Sequence, residues 1–339
     1  MDEPSAIYEI IHSIIQEPSE ERLSVLEMCQ IAGVSRSGYY AWVKAAPKRE
    51  AQEEQDRKDF DLILKAYKHR GYDKGARAIH MRLLHMNPPV VMNVKKIRRL
   101  MDKFNLTCPI RKANPYRRMA RALKNSDVAD NLLQREFECY GPRTVLLTDI
   151  TYLPYSGTFA YLSTILDAYT KQVLSYVLSR SLEEDFVLET IEKLIREHGV
   201  SLNQWTVIHS DQGSHYKSHR FIEIVKNKDL RQSMSRKGNC WDNAPQESFY
   251  GRMKDHIKDK LKTCQTYEEV IAIIDDYMDY YNNEKYQWEL AKLSPNEFYE
   301  FYTTGLYPLG VDNPPDVPVP EKDPSELGKK TSENAEVEK

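Results

Sequence analysis

Paired cysteines are missing from this chain. Its five cysteines (Cys29, Cys108, Cys139, Cys240 and Cys264) are scattered with no C-x-x-C pair. That argues against a disulfide frame or a zinc knuckle and fits reduced thiols in a cytosolic compartment. No apolar run reaches the roughly 18 residues that would span a bilayer, and no signal-peptide pattern opens the sequence. The expectation is therefore a cytoplasmic protein without a membrane partner. Leucine heptads are absent, so no zipper is expected. Net charge of one sign is lacking too: 48 Lys+Arg against 51 Asp+Glu leave a formal charge of −3.

What is present is an ordinary globular composition, 41% hydrophobic and 29% charged over 339 residues. That is enough apolar material for two or three cores. The near-neutral average hides an asymmetry. Between Arg57 and Lys124 there are 19 Lys+Arg against 4 Asp+Glu. Clustered positive charge neutralises phosphates and releases counterions.

Along the chain, residues 1–48 read as a small helical, helix-turn-helix-like region, with a turn at Gly33 and Ser35 capping the next helix. Residues 49–110 read as a second, DNA-binding helix-turn-helix domain. Its last helix is capped by Asn93, with Val94, Ile97, Leu100, Met101 and Phe104 on one side and Lys95, Lys96, Arg98, Arg99 and Lys103 on the other. An apolar face backed by a cationic one is the pattern of a recognition helix. A solvated helix face is the plainer alternative. Residues 111–138, with Arg111, Lys112, Arg117 and Arg118, read as a basic linker able to track a DNA backbone.

From residue 139 the pattern changes to alternating strands and helices, extending to 302. TVLLTDITYLPY, FAYLSTILDAY and KQVLSYVLS make three successive strands, with a turn at Gly157. Ser181 and Glu184 form a candidate capping box for the following helix. A short strand ends at Asp211, then helix, strand and a helix bearing Glu247 follow. Thr266 and Glu269 cap a last long helix, whose Tyr277, Tyr280 and Tyr281 read as core. Residues 303–339 are Pro-rich and acidic and read as a disordered tail. This order is that of an α/β, ribonuclease H-like domain of the retroviral integrase type, preceded by an all-α helix-turn-helix region.

Three acids sit on three separate elements: Asp149 in TVLLTDITY, Asp211 in TVIHSDQGSHY and Glu247 in DNAPQESFYGRMK. Carboxylates so placed are what a two-metal phosphodiester-transfer site needs, with the ions about 3.5–4 Å apart. Two Mg²⁺ or Mn²⁺ ions suit them, since such ions accept a few carboxylates and leave positions for water and phosphate. Lys254 lies two helical turns past Glu247 on the same face and is read as a phosphate contact, against a plain surface lysine. Asn243 is placed to cap the helix and brace the site. Trp241 either stacks on an unpaired base or is buried. His209 and His215 are read as packing or DNA-hydrogen-bonding residues, against metal ligands, and Asp167 is left outside the site.

These blocks resemble the insertion-sequence transposases of family three, in the second-frame product that carries the integrase-like core. The resemblance runs from about Leu23 to Pro295. It rests on T-D-I-T-Y, H-S-D-Q-G-S-H-Y, S-R-K-G-N-C-W-D-N-A-P-Q-E-S-F and Y-N-N-E-K-Y-Q-W-E-L-A-K-L-S-P, with 35 residues between Asp211 and Glu247. Lys285 stands where an arginine is usual. Retroviral integrases, which share the acidic triad, carry a zinc module, and here His80 and His85 lack its paired cysteines. The resemblance implies a DNA transposase that cleaves element ends and joins the freed 3′-hydroxyl to another phosphodiester. Its partners would be double-stranded DNA (terminal inverted repeats and target), further copies of itself on paired ends, and an upstream-frame protein or fusion segment. Nucleoid association would follow from DNA binding. The alternatives are a catalytically silent DNA-binding regulator of the same descent and a ribonuclease H-like nuclease.

Overall fold

A computed structural model describes residues 3–17, 23–109, 137–235, 244–310 and 313–327. The first helices are α1 (Glu3–Gln16), α2 (Val25–Ile31) and α3 (Arg36–Lys44). They close on Ile11, Met28, Cys29 and Tyr39. Ser24 and Glu27 form a capping box on α2, and Ser35 caps α3 by accepting the Gly38 N–H.

The second helical unit is α4 (Ala46–Lys68), α5 (Ala76–Leu84) and α6 (Val94–Lys103). Its core is Ile63, Ala66, Ile79, Leu83, Met92, Ile97, Leu100 and Met101. The expected cap on α6 is present, with the Asn93 side chain accepting the Lys95 N–H at 2.8 Å. The cationic face of α6 is partly engaged within the unit. Arg99 grips the buried Asp56 of α4 with two bonds of 2.7 Å, Lys103 reaches the same carboxylate at 2.8 Å, and Lys96 pairs with Asp59 at 2.5 Å. Three of the five cations read as DNA contacts thus fasten α6 to α4. A desolvated carboxylate requires charged partners, and α6 supplies them. Lys95 and Arg98 stay exposed.

The third unit is a five-stranded sheet in the order β3-β2-β1-β4-β5. Its strands are β1 (Val145–Tyr155), β2 (Thr158–Asp167), β3 (Val173–Ser179), β4 (Val207–Ser210) and β5 (Arg231–Met234). The first three meander antiparallel, whereas β4 and β5 run parallel to β1. The β1–β2 turn is Ser156-Gly157 with φ of 42° and 76°, the two positive values that a two-residue hairpin of right-handed twist demands. Alternation along β1 splits the core in two. Val145, Leu147 and Leu153 face α10 (Ala244–Thr263) and α11 (Tyr267–Asn283). Leu146 faces the other side, where α7 (Asp185–His198), the single turn α8 (Ser214–Lys217) and α9 (His219–Asn227) pack. The expected box at Thr266 and Glu269 caps α11, and Tyr277, Tyr280 and Tyr281 are buried. A last helix, α12 (Pro295–Thr304), ends at Gly305 in the left-handed region.

Two expectations are corrected. Ser181 and Glu184 do not form a capping box, because Glu184 itself stands at the cap position of α7 without a side-chain cap bond. Its carboxylate instead accepts the Ser218 hydroxyl and lies 3.7 Å from Arg220, both at the start of α9. The tail also departs from disorder. Across residues 313–327, Lys322 N–H bonds to the Cys139 carbonyl at 3.0 Å, Arg231 donates to the Leu327 carbonyl at 3.2 Å, and Leu327 is buried in the core. One apolar side chain and a few backbone bonds anchor a segment whose composition alone argues for solvent.

Asp167, at the end of β2, is fully buried and accepts four N–H bonds from Arg143, Tyr169 and Thr170. It ties the start of β1 to the β2–β3 turn, a structural duty.

Asp56 carries the testable consequence here. The bonds from Arg99 hold its carboxyl well below the usual carboxylate range, so its contribution is present above about pH 4 and fades as pH falls further. Asp56→Asn is expected to lower unfolding stability by about 2 kcal/mol at pH 7, read by denaturant titration, and by much less near pH 2.

Candidate active site

Strand pairing brings the first two acids together. β1 and β4 pair in parallel as Val145 with Val207, Leu146 with Ile208 and Leu147 with His209. The same register continued sets Asp211, just past the end of β4, beside Asp149, and neighbouring strands lie about 4.8 Å apart. Asp149 is flanked on its other side by Thr164 of β2. Its alternation places it on the face covered by α10.

The third acid arrives on α10, and three buried side chains set where that helix lies. Gln246 and Tyr250, one turn apart, bracket Glu247. The Tyr250 hydroxyl donates to the backbone carbonyl of Asp149 at 2.5 Å and shares its oxygen with the Thr164 hydroxyl at 2.8 Å. The Gln246 amide donates to the same Thr164 oxygen. Each hydroxyl has one proton, so the chain runs in one direction: Gln246 to Thr164, Thr164 to Tyr250, Tyr250 to the Asp149 carbonyl. Sequence reading missed these residues. The signal available was their i, i+4 spacing around Glu247, which marks one helix face.

Burial first, and then the charges of Asp211 and Glu247, push the Asp149 carboxyl up to about 7, while the Ile150 N–H and Lys254 work against the rise. Asp211, Glu247 and Lys254 thus all act on Asp149. Lys254 is half-buried; burial lowers its pKa and the charge of Asp149 opposes that. Asp149 and Asp211 each turn one oxygen to a local backbone N–H, of Ile150 at 2.8 Å and Gly213 at 2.9 Å. Among the described residues, no three carboxylate, histidine or cysteine side chains stand close enough to hold a metal ion. The triad is gathered around one strand end but not drawn in.

His209 is buried with Nδ1 3.0 Å from the Ser233 hydroxyl, and His215 bonds through Nε2 to the Leu182 carbonyl at 2.7 Å. Both bond within the fold. Arg111, Lys112, Arg117, Arg118, Trp241 and Asn243 lie outside the described residues. Among the described residues, no helix is long and apolar enough to cross a membrane.

Removing the Tyr250 hydroxyl tests the geometry. Tyr250→Phe is expected to cost about 1–3 kcal/mol of stability, because it strands the Asp149 carbonyl and the Thr164 hydroxyl. Denaturant titration of the variant beside wild type reads the loss.

Comparison with known proteins places this architecture. Residues 140–240 and 228–295 match integrase core domain models, and residues 54–114 match an HTH-like domain. The chain is 31% identical to the insertion element IS600 uncharacterized 31 kDa protein of Shigella sonnei, covering 81% of this chain and 98% of that protein. It is 30% identical to the putative transposase InsK for insertion sequence element IS150 of Escherichia coli, over 80% and 92%. The transposase InsF for insertion sequence IS3A of Escherichia coli is 26% identical over 83% and 96%. An integrase core, a helix-turn-helix-like domain ahead of it and near-complete coverage of such relatives mean that this chain belongs to the family-three insertion-sequence transposases.

Proposed function

We propose that the chain cleaves the ends of an insertion element and transfers the freed 3′-hydroxyl to a second phosphodiester, using Asp149, Asp211 and Glu247 as the ligands of two divalent cations. What supports this is that β1 and β4 set Asp149 and Asp211 at neighbouring strand ends, and that Asp149, raised first by burial, also feels the charges of Asp211 and of Glu247 on α10. The donor set is all carboxylate oxygen, which suits Mg²⁺ or Mn²⁺. A cation among these acids reverses the sign of the repulsion they exert on one another. Bound there, the ions would supply an activated oxygen nucleophile and neutralise the leaving oxygen.

The protein's own part is positioning. Asp149 is fixed by its pairing with Thr164 of β2, and Asp211 is held by its bond to the Gly213 N–H. Glu247 is exposed on the first turn of α10 and is the arm that has to swing inward. Lys254, two turns further on, offers a cation to the scissile phosphate. The helix-turn-helix-like domain would hold element-end DNA, with Lys95 and Arg98 as its free cations on α6. Cutting two ends in one event calls for at least two copies of the chain, with or without an upstream-frame segment. The open spacing of the acids favours one rival, a DNA-binding regulator that no longer cuts.

Cleavage of labelled element-end DNA separates the two readings. With Mg²⁺, the wild-type chain should give site-specific nicks and joined products, and a chelator should abolish them. Asp149→Asn or Glu247→Gln should lower the rate by at least about 10³-fold, the loss of several kcal/mol of transition-state stabilisation. DNA affinity should stay within about threefold. If Asp149→Asn still cuts, the site is wrong; if the wild type binds tightly with Mg²⁺ and the upstream-frame product supplied, yet never cuts, the regulator reading stands.

A further inference from the structure

Away from the triad, a cavity of about 240 Å³ opens where the second helical unit meets the core, lined from α5, α10 and α11 and the segment following α11. Its cations are Lys74, Arg82, Arg252 and Lys285. They are not matched by acids in the way surface cations are. Glu284, on the same wall, is already taken by Arg70 at 2.6 Å and by His69, with Arg82 at 3.9 Å. Asp255 is exposed and Asp73 is only half-buried.

The donors of these cations decide what the cavity can hold. Lys74 is buried and gives its three protons to the carbonyls of His69, Tyr72 and Tyr67, so it contributes charge alone. Lys285 makes one hydrogen bond, to the Tyr277 hydroxyl at 3.0 Å, and sits over the rings of Tyr277 and Tyr281. Among the described residues Arg252 has no hydrogen bond or ion pair, and the buried Nε of Arg82 has no acceptor. Burial and the charge of Arg252 push Lys285 down to about 7. Burial, and then Lys285 foremost among the neighbouring cations, push His256 down to about 3. Like charges are crowded here with N–H donors to spare, and an oxyanion is the partner that such a pocket lacks.

We propose that this cavity is a phosphate-binding subsite in which Lys285, Arg252 and Arg82 hold one oxyanion at the seam between the helical unit and the catalytic core. Arg252 is five residues past Glu247, roughly 140° round α10 at 3.6 residues per turn. The bound phosphate therefore lies on the other flank of α10 from the triad and is not the one being cut. That its source is the backbone of bound element-end DNA rests on the transposase reading. A small phosphate compound has the same chemistry and is the other source.

The full chain tests this in two arms, with Lys285→Met and Arg252→Gln each compared with wild type. In the first arm, thermal unfolding is followed in inorganic phosphate and in chloride at matched ionic strength. General salting effects act equally on all three proteins, so a phosphate-specific gain confined to wild type reports the site. In the second arm, affinity for the element-end duplex is measured against salt. Each variant should flatten the slope of log affinity on log salt by about 0.9, one phosphate contact.

A flattened slope, with or without the thermal effect, supports a DNA phosphate. A thermal effect with an unchanged slope supports the site and assigns it to a small phosphate compound. No change in either arm overturns the proposal. Should Lys285→Met not fold, Arg252→Gln, exposed at the rim, carries both arms alone. Neither arm requires cleavage, so a triad variant that still cut would sink the catalytic reading and leave this one standing.

Discussion

A single hydroxyl ties the helix that bears Glu247 to the strand that bears Asp149. Tyr250 reaches from α10 to the carbonyl of Asp149, so the helix bearing the third acid is bonded to the very residue that supplies the first. Thr164 and Gln246 complete the chain, and all its polar groups lie out of water on the covered face of the sheet. A buried hydrogen-bond chain is costly to break, because a removed member leaves its partners desolvated and unpaired. Helix packing on Phe249, Met253 and Ile257 presses α10 against the sheet, but apolar contact alone does not choose a register. The hydrogen-bond chain does.

Charge repulsion appears twice, with opposite sign. At the strand end burial, and then the charges of Asp211 and Glu247, push the Asp149 carboxyl up toward neutrality. At the seam, cations crowd one another, and Lys285 is pushed toward losing its proton. Neither arrangement helps the isolated chain to fold, since like charges brought together and desolvated are unfavourable. Groups in such settings are functional-site candidates. On the readings proposed above, one cluster would take divalent cations and the other phosphate, the two kinds of charge that a DNA-joining reaction brings together.

Local patterns were legible in the sequence where local physics decides the outcome. The strands, the Asn93 cap, the capping box at Thr266 and the buried tyrosine stripe on α11 follow from β-branching, side-chain acceptors and helical periodicity. The acids could be assigned to β1, to the end of β4 and to α10 for the same reason. Long-range partners were not legible. Glu184 left its local capping role for Ser218 and Arg220, which lie 34 and 36 residues on. Lys96, Arg99 and Lys103 turned to Asp56 and Asp59, which the sequence places on a helix some 40 residues earlier. The segment 313–327 is polar in composition yet ends on a buried Leu327. Charge patterning shows which side chains seek a partner; only the fold shows which partner they find.

The most direct measurement of the central claim is a count of Mn²⁺ ions bound per chain in the complex with element-end DNA, by electron paramagnetic resonance, for wild type and for Asp149→Asn. If Asp149, Asp211 and Glu247 form one metal site, the wild type binds two ions with DNA present, and the variant loses at least one. An unchanged count in the variant would contradict the account, because the ions would then be held elsewhere.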